Sequence, residues 1–166
     1  MKELVVLKNN NGTEENRARF LKYGVKINQL FIDRVLKDEY ISLFNPKDVP
    51  ELLNTFGEEF NNFYKKYEDN PDIQKVVIKA RDLMGLILKE RAETGNIYLF
   101  HIENVNQSSL LNRYINSSNL CTEITLPSSF STNFNETLNI SDKMITKITK
   151  TGEIALCNLA SINLVE

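Results

Sequence analysis

Ser118-Asn119-Leu120-Cys121-Thr122-Glu123-Ile124 is the stretch on which the reading of this chain turns. Read as extended backbone, it sends Asn119, Cys121 and Glu123 to one face and Leu120 and Thr122 to the other, because a strand alternates sides at every residue. A thiol flanked by a hydrogen-bonding amide and a proton acceptor is the minimal equipment of a reaction centre. Each residue also has a plainer reading. Asn119 is a good turn former, Glu123 fits a solvated strand position, and a cysteine is often just a small core hydrophobe. The only other cysteine sits in Gly152-Glu153-Ile154-Ala155-Leu156-Cys157-Asn158-Leu159-Ala160-Ser161. There the pattern from Glu153 to Leu159 predicts a last strand.

Working outward, the chain has 166 residues, 42% of them hydrophobic and 25% charged, which suits one globular domain with a real core. A net charge of −2 gives no reason to expect nucleic acid or an anionic membrane as partner. No apolar run approaches the roughly 20 residues of a membrane span. Met1-Lys2-Glu3 is followed by only four apolar residues, so no secretory signal is expected and the reducing cytoplasm is the expected location. Two cysteines make no disulfide framework, and that compartment argues against a Cys121–Cys157 bridge. With a single histidine, His101, and no close ligand spacing, no zinc site is expected, and His101 receives no role. There is no Gly-rich phosphate loop.

The first half, residues 1–95, reads as mainly helical. From Thr13 to about Lys37, Phe20, Tyr23, Ile27, Leu30, Phe31 and Val35 recur at spacings of three and four. Ile41–Phe44 is a short extended piece, and Asp48 to Glu51 fits a capping box that opens a short helix. Glu58 to Asp69 is a helix with Phe60, Phe63, Tyr64 and Tyr67 as its apolar side. Asn70-Pro71-Asp72 predicts the start of a long helix whose stripe runs Ile73, Val76, Val77, Ala80, Leu83, Met84, Ile87 and Leu88. Gly95 suits its left-handed stop. Residues 96–166 differ. Asn96 to Phe100 predicts a strand, Asn104 to Asn119 a polar loop, and about 127–151 a Ser/Thr/Asn-rich insertion with a hairpin arm at Ile145–Ile148.

The two cysteine segments resemble the large (α) subunit of class I ribonucleotide reductase. Leu7-Lys8-Asn9-Asn10, Tyr23-Gly24-Val25-Lys26-Ile27-Asn28, Leu43-Phe44-Asn45-Pro46-Lys47-Asp48-Val49-Pro50 and Glu90-Arg91-Ala92-Glu93-Thr94-Gly95 are similar to the same family, in the family's order. The resemblance therefore covers nearly the whole chain. It implies an α/β fold: part of a ten-stranded barrel whose finger loop carries a radical cysteine to the centre. Glu103-Asn104-Val105-Asn106-Gln107 departs from the Asp-His pattern that many relatives carry.

What the resemblance implies about chemistry is specific. Ribonucleotide reduction replaces the 2′-hydroxyl by hydrogen through a substrate radical at the 3′ carbon. Cys121 would be the thiyl radical, Glu123 the acceptor of the 3′-hydroxyl proton, and Asn119 a hydrogen-bonding partner of the substrate. Cys157 would be one of the two redox cysteines, its mate absent from this chain. No cofactor is expected to bind this segment. The radical would come from a small subunit's metal cofactor, electrons from thioredoxin or glutaredoxin, and nucleotide effectors would bind elsewhere. The expected partners are the remaining α-subunit fragments, the small subunit and a ribonucleoside diphosphate. Because the family's subunit is several times longer, an internal piece acting only with complementing fragments is expected. The alternative is an inactive interaction module or a pseudogene product.

Overall fold

The computed structural model describes residues 5, 6, 8, 14–129, 137–141, 144–148 and 152–164. Of Leu7-Lys8-Asn9-Asn10 only Lys8 lies among them. Within the expected insertion, 130–136, 142–143 and 149–151 lie outside them. The architecture is mixed α/β. Strand β1 (Gly24–Ile27) leads into helix α1 (Gln29–Leu36), then β2 (Tyr40–Phe44), a 3-10 turn (Pro50–Leu53) and α2 (Gly57–Asp69). Next come β3 (Lys75–Lys79), α3 (Ala80–Thr94), β4 (Tyr98–His101), α4 (Ile102–Ser108) and the hairpin β5 (Thr137–Ser141) and β6 (Met144–Ile148).

Strands pair two by two among the described residues. β1 and β4 run parallel, with Gly24 opposite Tyr98 and Lys26 opposite Phe100. β2 and β3 are antiparallel, Tyr40 facing Lys79 and Phe44 facing Lys75. The β5–β6 hairpin supplies the arm expected at Ile145–Ile148.

Several expected helices are shorter than the apolar periodicity implied. The run from Thr13 to Lys37 is not one helix. Val25 and Ile27 are β-branched and favour extended backbone, and Asn28 restarts the chain as a helix, its side chain accepting from the Phe31 amide at 2.9 Å. Phe20, placed on the expected helical stripe, is 97% exposed.

The helix expected from Asn70 begins only at Ala80. Asn70 instead closes a local turn by accepting from the Asp72 amide at 2.9 Å. The β-branched run Val76-Val77-Ile78 then pairs with β2, because a partner strand satisfies its backbone and β-branched side chains fit a pleated surface. Asp48 makes no cap. Val49 precedes the 3-10 turn without a side-chain hydrogen bond, and Pro50 occupies its first turn. The polar loop expected from Asn104 holds a helix, α4, whose cap is His101: Nδ1 accepts from the Asn104 amide at 3.3 Å. The extended piece at 41–44, the helix ending at Asp69 and the stop at Gly95 (φ 66°) stand as expected.

The main core joins Ile27, Phe31, Ile41, Tyr64, Ala80, Leu83, Ile87 and Ile97, with Val5 from the N-terminal end. Tyr64 ties it together. Its hydroxyl accepts from the Ser42 amide at 2.7 Å and donates toward the Ser42 carbonyl at 3.0 Å. Arg34 lies 5.0 Å over its ring and forms a two-pronged pair with Glu68 at 2.6 and 2.5 Å. Burial pushes the Tyr64 phenol up to about 12. A smaller cluster, Phe100, Ile102 and Ile115, is covered by Phe56 and Tyr114, whose rings stack at 5.1 Å.

Two outcomes test this knot. Tyr64→Phe leaves the buried Ser42 amide without its acceptor and lowers unfolding free energy by about 1–3 kcal/mol in a urea titration; an unchanged midpoint would refute the role. The Arg34 hydrogen bond holds the Glu68 carboxyl below its ordinary value of 4.5. A depressed folded pKa gives stability that is full above about pH 4.5 and lost as pH falls through the folded value. Glu68→Gln should therefore flatten the acid limb of the stability profile below pH 4.5, and a limb of unaltered slope would count against it.

Candidate functional site

The segment that carries Cys121 is built from its stem upward. Ile115 is fully buried, and Asn106 on α4 clamps it with both ends of its amide: Nδ2 donates to the Ile115 carbonyl and Oδ1 accepts from the Ile115 amide, each at 2.9 Å. One residue on, Lys26 of β1 donates to Asn116 Oδ1 at 2.7 Å. The neck is closed by two hydrogen bonds across the loop. Ser118 Oγ donates to the Ile124 carbonyl at 2.6 Å, and the Ile124 amide donates to Asn119 Oδ1 at 3.0 Å.

Within that neck the backbone turns and does not extend. The Thr122 amide donates to the Asn119 carbonyl at 3.2 Å, and Thr122 itself sits at φ 65°, a left-handed conformation that is strained for a β-branched residue. The Thr122 hydroxyl donates to the Cys121 carbonyl at 2.7 Å. The alternation expected for 119, 121 and 123 is thereby replaced: these residues share one tight turn instead of one strand face. Asn119 acts as the turn former that its plainer reading allowed. Its carbonyl oxygen is used in the neck, which leaves its amide NH2 group to donate outward. Cys121 and Glu123 are both exposed.

Tyr98 on β4 is the residue that sequence reasoning missed. Its phenol is pushed above its ordinary range, first by hydrogen bonding to the Cys121 sulfur and by that group's charge, then by burial and by Glu123, while Arg91 opposes the rise. The thiol and the carboxylate of the turn therefore neighbour one phenol. The local backbone explains the placement. Ile97 is held at φ 69°, fully buried, with Arg91 donating to its carbonyl at 2.7 Å. Gly24 lies under Tyr98, where an added Cβ would come within 3.1 Å of the Tyr98 carbonyl oxygen. The available signal was an aromatic residue opposite a strand glycine, which is legible only once the register is known.

Cys157 is placed differently. The strand expected from Glu153 to Leu159 is absent: only Glu153 bridges, to Ser129, through hydrogen bonds of 2.9 and 3.1 Å. Arg113 pairs with Glu153 and ties this bridge to the segment that leads to Cys121. Beyond it the backbone has no described partner strand, and a lone apolar run cannot satisfy its own ladder. Cys157 is exposed, and both cysteines are free thiols. Among the described residues no group of His, Cys, Asp or Glu is arranged to hold a metal ion, and no helix is long and apolar enough to cross a membrane.

Comparison with known proteins gives this geometry a context. The sequence profile described as "Ribonucleotide reductase, barrel domain" matches residues 1–166. The ribonucleoside-diphosphate reductase subunit alpha of Buchnera aphidicola from Schizaphis graminum is 44% identical over 170 residues, which cover 99% of this chain and 21% of that protein. Ribonucleoside-diphosphate reductase 1 subunit alpha of Escherichia coli is 46% identical over 133 residues, 76% of this chain and 18% of the relative. The subunit alpha of Enterobacteria phage T4 is 41% identical over 134 residues, again 76% and 18%. The chain thus spans about a fifth of the length of the curated relatives it matches.

The neck makes a direct prediction. Asn119→Ala removes the acceptor of the Ile124 amide, at a cost of about 1 kcal/mol, so that amide should exchange with solvent deuterium roughly fivefold faster. Exchange at the wild-type rate would show that the amide side chain does not close the loop.

Proposed function

Because the chain belongs to the ribonucleotide reductase barrel-domain family, we propose that it supplies the radical-cysteine finger of a ribonucleoside-diphosphate reductase large subunit. The observation that carries this reading is the tight turn of residues 119–122, which presents the Cys121 thiol outward beside Glu123 on a braced stem. In the assembled enzyme that stem would stand inside a ten-stranded barrel. A small subunit's metal cofactor would supply the radical in the complete enzyme, and Cys121 would be the residue of this chain that holds it as a thiyl.

The steps then balance on this chain's own residues. Cys121 Sγ takes the hydrogen atom from the 3′ carbon, forming S–H as C–H breaks. Glu123 accepts the 3′-hydroxyl proton. The C2′–O bond breaks and the 2′-oxygen leaves as water with a proton from a dithiol. The dithiol's second hydrogen and two electrons form the new C2′–H bond as its sulfurs join in a disulfide. Glu123 then returns its proton to the 3′-oxygen and Cys121 returns the hydrogen atom to the 3′ carbon, restoring the thiyl. Cys157 is one sulfur of the dithiol and the other comes from the rest of the subunit, with thioredoxin or glutaredoxin restoring the reduced pair. The Asn119 NH2 group, fixed by its own carbonyl's bonds in the neck, donates to a substrate hydroxyl with little reorganisation. The cytoplasm, where nucleotides and reductants are present, suits this work.

Activity requires other polypeptide. Ile154, Leu156, Leu159, Ile162 and Leu164 are between 75% and 89% exposed, an apolar run that water does not favour. Its proposed cover is the remainder of the barrel. The purified chain alone should therefore produce no deoxynucleotide. Co-expressed with the missing α-subunit portions and a radical-generating small subunit, it should reduce ribonucleoside diphosphates, and Cys121→Ser should lower that rate by about a thousandfold or more with folding intact. Turnover by the isolated chain, or a fully active Cys121→Ser complex, would reject the assignment.

A further inference from the structure

Between β1 and residues 116–122 lies a cavity of about 370 Å3 that contains neither cysteine. Lys22, Lys26, Asn116, Ser117 and Asn119 line it, together with the apolar Phe100 and Leu120. No aspartate or glutamate lines it, in a chain whose net charge is −2. Lys22 Nζ donates to Asn96 Oδ1 at 3.2 Å and Lys26 Nζ to Asn116 Oδ1 at 2.7 Å, so both bond to neutral oxygens. Each ammonium has three donors and keeps others for a ligand.

A third lysine stands close to this cavity. Lys8, itself buried, packs near enough to Lys22 for the two like charges to repel. Lys26 is held below its ordinary range by burial. Two lysines on a cavity wall that carries no carboxylate attract an anion, and one seated there is favoured by both charges.

We propose that this cavity is an oxyanion site that takes a phosphate group between Lys22 and Lys26. Ser117 donates a hydroxyl proton to the occupant, and Asn119 and Thr122 close the side toward the finger. The site uses no cysteine and shares only Asn119 with the proposed reaction, so its occupant touches the same turn. An anion held there therefore steadies the stem that carries Cys121.

Calorimetric titration of the full chain with inorganic pyrophosphate tests the site. The expected result is saturable binding that weakens at least about tenfold in the Lys22→Gln/Lys26→Gln double variant, the loss of two charge-assisted contacts. Binding should persist in Lys22→Arg/Lys26→Arg, which keeps the charge, and in Lys89→Gln on the exposed face of α3. It should also weaken as salt is raised. A nucleoside diphosphate that binds tighter than pyrophosphate assigns the phosphate to a nucleotide, whereas equal affinity assigns it to the free anion; either result supports the site. Cys121→Ser should bind like the wild type, so loss of the site and loss of the radical reading are told apart. No saturable binding by the wild-type chain, equal binding by the Gln double variant, or equal binding of an uncharged nucleoside overturns the proposal.

Discussion

The parallel pairing of β1 with β4 is the constraint on which the arrangement depends. It joins Gly24 to Tyr98 and Lys26 to Phe100 across more than seventy residues of chain. Closing so long a loop is entropically unfavourable, and the offset comes from the core between the strands and α3, where Ile27, Phe31, Ile87 and Ile97 meet. Gly24 permits the close approach, since a side chain there would press on the Tyr98 carbonyl. Without this register, Tyr98 would not reach the Cys121 turn, Lys26 would not hold Asn116, and the lysine-walled cavity would lose one side.

The segment around Cys121 shows what a turn provides that a strand does not. A strand would have aligned Asn119, Cys121 and Glu123 on one face but offered them no independent bracing. The turn assigns separate tasks to separate atoms. The Asn119 carbonyl oxygen and the Ser118 hydroxyl lock the neck, while the NH2 group, the thiol and the Glu123 carboxylate remain outside. Left-handed backbone at Thr122, unfavourable for a β-branched residue, is maintained because hydrogen bonds on both sides fix it. The stem below has no such strain and rests on the two-ended amide clamp of Asn106.

Isolated two-stranded pairs are marginal unless packed against something. The β2–β3 pair is secured by α2 through Tyr64 and Glu68, with Arg34 of α1 paired to Glu68. The segment after Glu153 has no comparable support among the described residues, and its apolar side chains face solvent. This contrast fits a chain that spans about a fifth of the length of its curated relatives.

The sequence by itself determined the family, through ordered motifs, and part of the local punctuation: Gly95 as a left-handed stop and the helix that ends at Asp69. It also marked Asn119, Cys121, Glu123 and Cys157, because residue chemistry is local. Only the tertiary structure decided that 24–27 and 75–79 are strands, since a strand exists by virtue of a partner distant in the chain, and helical spacing among Ile73, Val76 and Val77 could not exclude one. The same reason hid Tyr98, Lys26 and Asn106. Their roles come from hydrogen bonds and charges across long separations, which no window of neighbouring residues contains.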